Sequence, residues 1–74
     1  MSFRNIRSYK FDCNKFKLMR VHQGLSQENI ALMCGVSINT ISSLERGEFQ
    51  PRMELYFQLC DAVNTYPTNL YIAS

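Results

Sequence analysis

Hydrogen-bonding side chains are concentrated in one short stretch of this 74-residue sequence, just after Val36. At helical spacing Ile41 and Leu44 share an inward side, and Val36 anchors the same side. The amide and hydroxyl groups on the other sides offer both donors and acceptors of hydrogen bonds. The stretch therefore predicts a helix that presents polar groups to something outside the domain. The outward residues are Ile38, Asn39, Thr40, Ser42 and Ser43.

Two short helices joined by a tight turn are needed to position these side chains. Ser37 is a good N-cap for a helix from Ile38 to Arg46, and Ser26 is a good N-cap for the helix before it. Gly35 supplies the residue that most easily takes a positive φ, so the first helix can end there. The inward positions of that first helix are Ile30, Ala31 and either Met33 or Cys34. The pattern is a helix-turn-helix.

Three sequence blocks carry a resemblance to a known family: GLSQENIA, GVSINTIS and LERG, in that order. They resemble the Cro/CI-type helix-turn-helix regulators, also called the XRE family, which are small bacterial and phage repressors and activators. The resemblance extends in weaker form from about Asp12 to Leu70. It implies an all-α fold, a compact bundle of about five short helices of the lambda-repressor-like type. It also implies a sequence-specific, double-stranded DNA-binding transcriptional regulator.

The resemblance assigns base contacts to Ile38, Asn39, Thr40 and Ser43. The Asn39 carboxamide can pair with adenine N6 and N7 in the major groove, and the Ser43 hydroxyl can meet a donor or an acceptor. Ile38 can pack on a thymine methyl group, or it can turn sideways onto neighbouring protein. Arginine or lysine is common in the family at the Ile38 position, so recognition of guanine by this helix is not expected.

Contacts with the DNA backbone are expected from a second set of residues. Gln27 matches a family position that holds a phosphate and braces the recognition helix, and the helix N-terminus at Ser37 adds backbone N–H donors. Arg46 and Arg52 match family positions close to the backbone. These contacts position a protein on DNA without reading its sequence.

The charge is distributed unevenly along the chain. Residues 1–24 carry six Lys or Arg against Asp12 alone, a net charge of +5, whereas residues 25–74 carry two against five, a net charge of −3. The basic end is a candidate phosphate-facing arm through Arg4, Arg7 and Lys10, because phosphate neutralisation supplies much of the affinity for nucleic acids. The alternative is a tail that merely aids solubility.

The flanks divide the chain into an extension, residues 1–11, and a helix-turn-helix domain, residues 12–74. In the extension Phe3 and Ile6 favour a helical face, while Tyr9 and Phe11 alternate like a strand, so the period does not decide. The remaining expected helices run from Cys13 to Gln23 with Asp12 as N-cap, from Arg52 to Val63, and from Pro67 to Ile72. The helix from Arg52 is expected to pack a broad apolar face, Met53, Tyr56, Phe57, Leu59, Cys60 and Val63.

The family also implies an ion pair between Arg20 and Glu45, which would tie the first helix to the recognition helix. Losing one partner would strand a charge in low dielectric, at a cost of about 3–5 kcal/mol. The alternative is two unrelated surface charges.

One domain with so little positive charge would bind DNA weakly, so tight binding needs two domains on one DNA, the basic N-terminal arm, or both. The two-domain solution is common in the family, and the resemblance therefore implies a two-fold homodimer on a near-palindromic operator. The apolar residues left over near the end of the chain are the candidates for its interface: Tyr66, Leu70, Tyr71 and Ile72. The alternative is that they only close a small core, with Leu70 as its anchor.

Other classes of function find little support. Cys13, Cys34 and Cys60 have no metal-ligand spacing and read as small buried hydrophobes, and His22 has no visible catalytic partners. We therefore expect no metal, no cofactor, no enzyme activity and no membrane segment, and a reducing cytoplasm fits best. The rival function is an antitoxin or adaptor that uses the scaffold mainly to bind a protein partner.

Overall fold

Four α-helices and one two-stranded antiparallel sheet make up the part of the chain that the computed structural model describes, residues 9–73. A 3-10 turn at Pro67–Asn69 precedes the second strand. In chain order the elements are β1 (Tyr9–Phe11), α1 (Cys13–His22), α2 (Gln27–Cys34), α3 (Ile38–Glu45), α4 (Met53–Ala62) and β2 (Tyr71–Ala73). Helix α3 packs against both α1 and α2, and α2 also packs against α4.

Polar caps start the first three helices where the sequence predicts. Asp12 Oδ1 accepts a hydrogen bond from the backbone N–H of Lys15 at 3.0 Å. Ser26 and Asn29 form a reciprocal capping box, with side chain bonded to backbone in both directions at 2.9 Å. The Ser37 hydroxyl accepts from the Thr40 N–H at 3.1 Å. Each bond satisfies a backbone donor that the helix itself leaves open, which fixes where that helix begins.

Gly35 ends α2 in the left-handed conformation, with φ 68°. This single residue turns the chain sharply enough for α3 to begin three residues later. The helix-turn-helix geometry therefore depends on a position where a side chain would be strained.

The expected fifth helix, Pro67 to Ile72, is wrong. The chain makes the short 3-10 turn there and then extends as β2, in antiparallel register with β1: Tyr9 opposite Ala73, Lys10 opposite Ile72 and Phe11 opposite Tyr71. A partner strand from the other end of the chain outweighs a local helical preference, because it satisfies the backbone of both segments. The fold remains predominantly helical.

Residues 9–11, which the sequence assigned to the extension, form β1. Phe11 is buried, its backbone N–H donates to Gln50 Oε1 at 2.7 Å, and its ring lies against Phe16 and Tyr56. The Asp12 N–H donates to the Leu70 carbonyl at 2.8 Å. These contacts hold the two ends of the described chain together. Arg4 and Arg7 of the expected arm lie outside the described residues.

One hydrophobic core joins all four helices. Its fully buried members of large volume are Phe16, Ile30, Ile41, Leu44, Leu59, Cys60, Val63 and Leu70. Leu70 therefore serves as the core anchor, and its burial excludes it from the exposed residues considered for a dimer interface. On α2 the inward residue is Cys34 rather than Met33, because Cys34 is buried and Met33 is exposed.

The apolar face of α4 is narrower than expected. Leu59, Cys60 and Val63 are buried, but Met53 is 72% exposed and Phe57 is also exposed. The sequence placed both in the packed face because apolar residues recur there at helical spacing. The buried residues of α4, Leu59, Cys60 and Ala62, all lie in its second half, and Met53 and Phe57 remain on the surface.

Leu70→Ala is expected to lower the free energy of unfolding by about 2–5 kcal/mol, because it empties a fully buried site. Leu32→Ala is the matched control, since Leu32 is 80% exposed on α2 and should change stability by less than about 0.5 kcal/mol. Urea denaturation followed by circular dichroism measures both. Equal losses would contradict the placement of Leu70 in the core.

Candidate functional site

Helix α3 carries the polar surface that the sequence singled out. Ile41 and Leu44 are fully buried, so the opposite side of the helix faces outward. Asn39 is exposed there, and Ile38 is 45% exposed at the start of the helix. An amide and an aliphatic group thus lie free for contact on the first turn.

The other expected contact residues of α3 are partly occupied within the protein. Thr40 Oγ1 lies 2.9 Å from Ser37 Oγ, and both side chains belong to the cap of the helix. Ser43 is half-buried, and its hydroxyl accepts a hydrogen bond from Arg46. Asn39 is therefore the contact residue whose amide is most open to an external partner.

A buried ion pair fixes α3 to the rest of the domain. Arg20 Nε and Nη2 donate to the two carboxylate oxygens of Glu45 at 2.6 and 3.0 Å, a two-point contact. The side chains of Arg20 and Glu45 are only 10% and 2% exposed. Bidentate pairs of this kind set relative orientation as well as distance.

Two further hydrogen bonds extend this contact to the turn and to α2. Arg20 Nη1 donates to the Leu25 carbonyl at 2.7 Å, and Gln27 Nε2 donates to Glu45 Oε1 at 3.0 Å. We call Arg20, Leu25, Gln27 and Glu45 the lock. It joins the end of α1, the start of α2 and the end of α3, so the outward surface of α3 is held at one angle.

Arg46 has an environment that the sequence analysis missed. It forms an exposed ion pair with Glu48, with Nε 2.6 Å from Oε2. Its other guanidinium nitrogens donate to the hydroxyls of Ser42 and Ser43. Opposite charges two residues apart are not neighbours on a helix, and only the turn at Gly47, with φ 77°, brings them together.

The remaining expected backbone-contact residues lie at three separate places. Arg52 is exposed at the start of α4, Lys10 is exposed on β1, and Gln27 is half-buried in the lock. The Ser37 hydroxyl is engaged in the N-cap of α3. A ligand at this position would therefore contact the remaining backbone N–H groups of the helix N-terminus.

An open apolar groove lies on a different part of the molecule and contains no residue of α3. It has a volume of about 600 Å³ and lies between β1, the loop before α4, α4 itself and β2. Met53, Phe57 and Tyr71 line it, and Ile72 is exposed on the same strand as Tyr71. Tyr66, also exposed, precedes the 3-10 turn.

No group of three or more His, Cys, Asp or Glu side chains among residues 9–73 is placed to bind a metal ion. Burial raises the pKa of the Cys34 and Cys60 thiols, which favours the protonated form over the nucleophilic thiolate. His22 is exposed.

None of the described helices is long and apolar enough to span a membrane.

The fold and the exposed outward side of α3 define a helix-turn-helix module, with α2 and α3 as its two helices. A family model described as helix-turn-helix matches residues 16–70, more than half of the chain. The chain belongs to this family, the XRE-type helix-turn-helix proteins. It is a DNA-binding transcriptional regulator and not an enzyme.

Relatives of known sequence carry matching descriptions. An uncharacterized HTH-type transcriptional regulator of Methanocaldococcus jannaschii is 39% identical over 46 residues, which span 62% of this chain and 70% of that protein. The uncharacterized HTH-type transcriptional regulator YgzD of Bacillus subtilis is 35% identical over 49 residues, 66% of this chain and 74% of that protein.

Two solved structures are similar to this chain in fold. The restriction-modification controller protein C.AhdI from Aeromonas hydrophila aligns with a TM-score of 0.72 and 25% identity, covering 76% of this chain and 85% of that one. The P22 c2 repressor protein, solved in complex with a synthetic operator, aligns with a TM-score of 0.72 and 28% identity, covering 78% and 88%.

Arg20→Met alone, or Glu45→Met alone, is expected to lower the free energy of unfolding by about 3–5 kcal/mol, because each leaves the partner charge buried and unpaired. The double variant should lose less than either single variant, since no charge is then stranded. Denaturant unfolding of the four chains measures this as a double-mutant cycle. Additive losses would show that the two side chains do not act as a pair.

Proposed function

We propose that this regulator reads double-stranded DNA by inserting α3 into the major groove. The observation that carries the proposal is the exposed Asn39 on a helix that the lock holds at a fixed angle. A carboxamide in that position can accept from adenine N6 and donate to N7. The amide is therefore the main sequence-reading group.

Three neighbours of Asn39 complete the proposed readout. Ile38 packs on a thymine methyl group, which its exposure at the start of α3 permits. Thr40 and Ser43 add hydroxyl contacts, although each already has a hydrogen-bond partner within the protein. The preferred sites are accordingly rich in A·T pairs.

Backbone phosphates are held by a separate set of groups. The N-terminus of α3 behind Ser37 supplies N–H donors, and Arg46, Arg52 and Gln27 supply side-chain donors. Lys10, exposed on β1, and the basic residues before it, Arg4 and Arg7, form the proposed arm. Together they provide the positive charge that the rest of the domain lacks.

The active form is a two-fold homodimer on a near-palindromic operator in the cytoplasm. The open apolar groove supports this, because Met53, Phe57 and Tyr71 line it together. Apolar residues exposed singly are common on protein surfaces, whereas a group of them marks an interaction site. Ile72 and Tyr66 extend the same exposed apolar set. Dimerisation would place two α3 helices in successive major grooves.

The rival function, an antitoxin or adaptor acting mainly through a protein partner, is not favoured by the relatives, which carry regulator names. It predicts little dependence of DNA binding on salt, whereas a regulator shows a steep negative slope of log affinity against log salt.

Asn39→Ala is expected to weaken binding to a preferred site by about 1–3 kcal/mol, because the bidentate contact with adenine is lost. Binding to random-sequence DNA should hardly change. The preferred site is obtained by selection from a random duplex pool, and fluorescence anisotropy over a range of salt concentrations measures both affinities. Asn14→Ala, at an exposed position of α1, is the control. Equal effects of Asn39→Ala on both DNAs would contradict readout by this residue.

Met53→Lys is expected to weaken self-association at least tenfold while leaving the monomer folded, since it places a charge in the apolar groove. Leu32→Lys, at an exposed leucine outside the groove, is the matched control and should dimerise like the wild type. Sedimentation equilibrium measures the dissociation constants. A wild-type chain that stays monomeric even on its selected DNA would overturn the dimer.

A further inference from the structure

The guanidinium of Arg46 contacts three neighbours on the exposed surface. Nε and Nη2 donate to the two carboxylate oxygens of Glu48 at 2.6 and 3.3 Å. Nη1 donates to Ser42 Oγ at 2.6 Å, and Nη2 donates to Ser43 Oγ at 3.2 Å. A guanidinium has five N–H donors, so four of them are engaged in these contacts.

The shape of this cluster is that of an oxyanion site. Arginine binds carboxylate and phosphate through the same two-point fork, and serine hydroxyls can donate to either anion. The hydrogen bond from Arg46 lowers the pKa of the Glu48 carboxyl, and a contact with Ser43 acts in the same direction. The carboxylate therefore sits where an anion of another molecule would be held.

The position of the cluster puts it beside the proposed reading surface. Ser43 follows Asn39 by four residues and Arg46 follows Ser43 by three, so all three lie along one side of α3 and its end. Ser42 follows Ile38 by four residues in the same way. A phosphate group of DNA docked on Asn39 would lie close to the negative charge of Glu48.

We propose that, in the free protein, Glu48 occupies the site in which Arg46 and Ser42 hold a backbone phosphate of DNA. This inference rests on the proposed function. Binding of DNA then exchanges one anion for another, and the gain from the Arg46 contact is reduced by the release of Glu48. Glu48 lowers affinity for every sequence without reading bases.

Glu48→Gln is expected to tighten binding to a random-sequence duplex about two- to fivefold at low salt, because Arg46 no longer has a competing anion. The slope of log affinity against log salt should change by less than about 0.9, the value for one phosphate contact, because Arg46 holds the same phosphate in both proteins. Fluorescence anisotropy with a labelled duplex measures both, after thermal melting has shown that each variant is folded.

Two further variants separate this site from a general effect of charge. Glu54→Gln removes the same charge from an exposed position in the first turn of α4, and should tighten binding less than about twofold with no change in slope. Arg46→Gln combined with Glu48→Gln should abolish the gain, since the gain acts through Arg46.

A larger gain for Glu48→Gln than for Glu54→Gln, lost when Arg46 is also replaced, supports the site. Equal gains, or a gain that persists without Arg46, overturn the site while DNA binding itself stands. Absence of salt-dependent binding by the folded wild type and all variants overturns the proposed function and the site together.

Discussion

The buried ion pair between Arg20 and Glu45 is the contact on which the orientation of α3 depends. A helix of eight residues has too few internal hydrogen bonds to be stable alone, so tertiary contacts must fix its angle. Two buried aliphatic residues, Ile41 and Leu44, hold it to the core, but apolar contacts are not directional. The two-point pair, reinforced by Gln27, supplies the direction.

The rest of this small fold also depends on a few specific contacts. Its core is built from few large side chains, and the two ends of the described chain close it by pairing β1 with β2. At this pairing Phe11 packs against Phe16 and Tyr56, and Leu70, which directly precedes β2, is fully buried. Helix α3 is thus held on its inward face both by the polar contacts of Glu45 and by the core at Ile41 and Leu44.

Local rules predicted the helix-turn-helix well, because its determinants lie close together in sequence. The caps at Asp12, Ser26 and Ser37 and the positive φ of Gly35 each involve residues within one turn of the feature they fix. The strands and the Arg46–Glu48 pair escaped prediction for the opposite reason. β1 is defined only by a partner some sixty residues away, as the register of Lys10 with Ile72 shows, and Glu48 reaches Arg46 only through the turn at Gly47.

The central claim is that a fixed α3 reads the major groove. Hydroxyl-radical footprinting of the purified chain on a duplex selected from a random pool tests it most directly. The account predicts two protected patches about 34 Å apart on one face of the DNA, with two-fold related sequence between them. A folded chain that protects no DNA at low salt would contradict it and would favour a protein partner as the ligand of this surface.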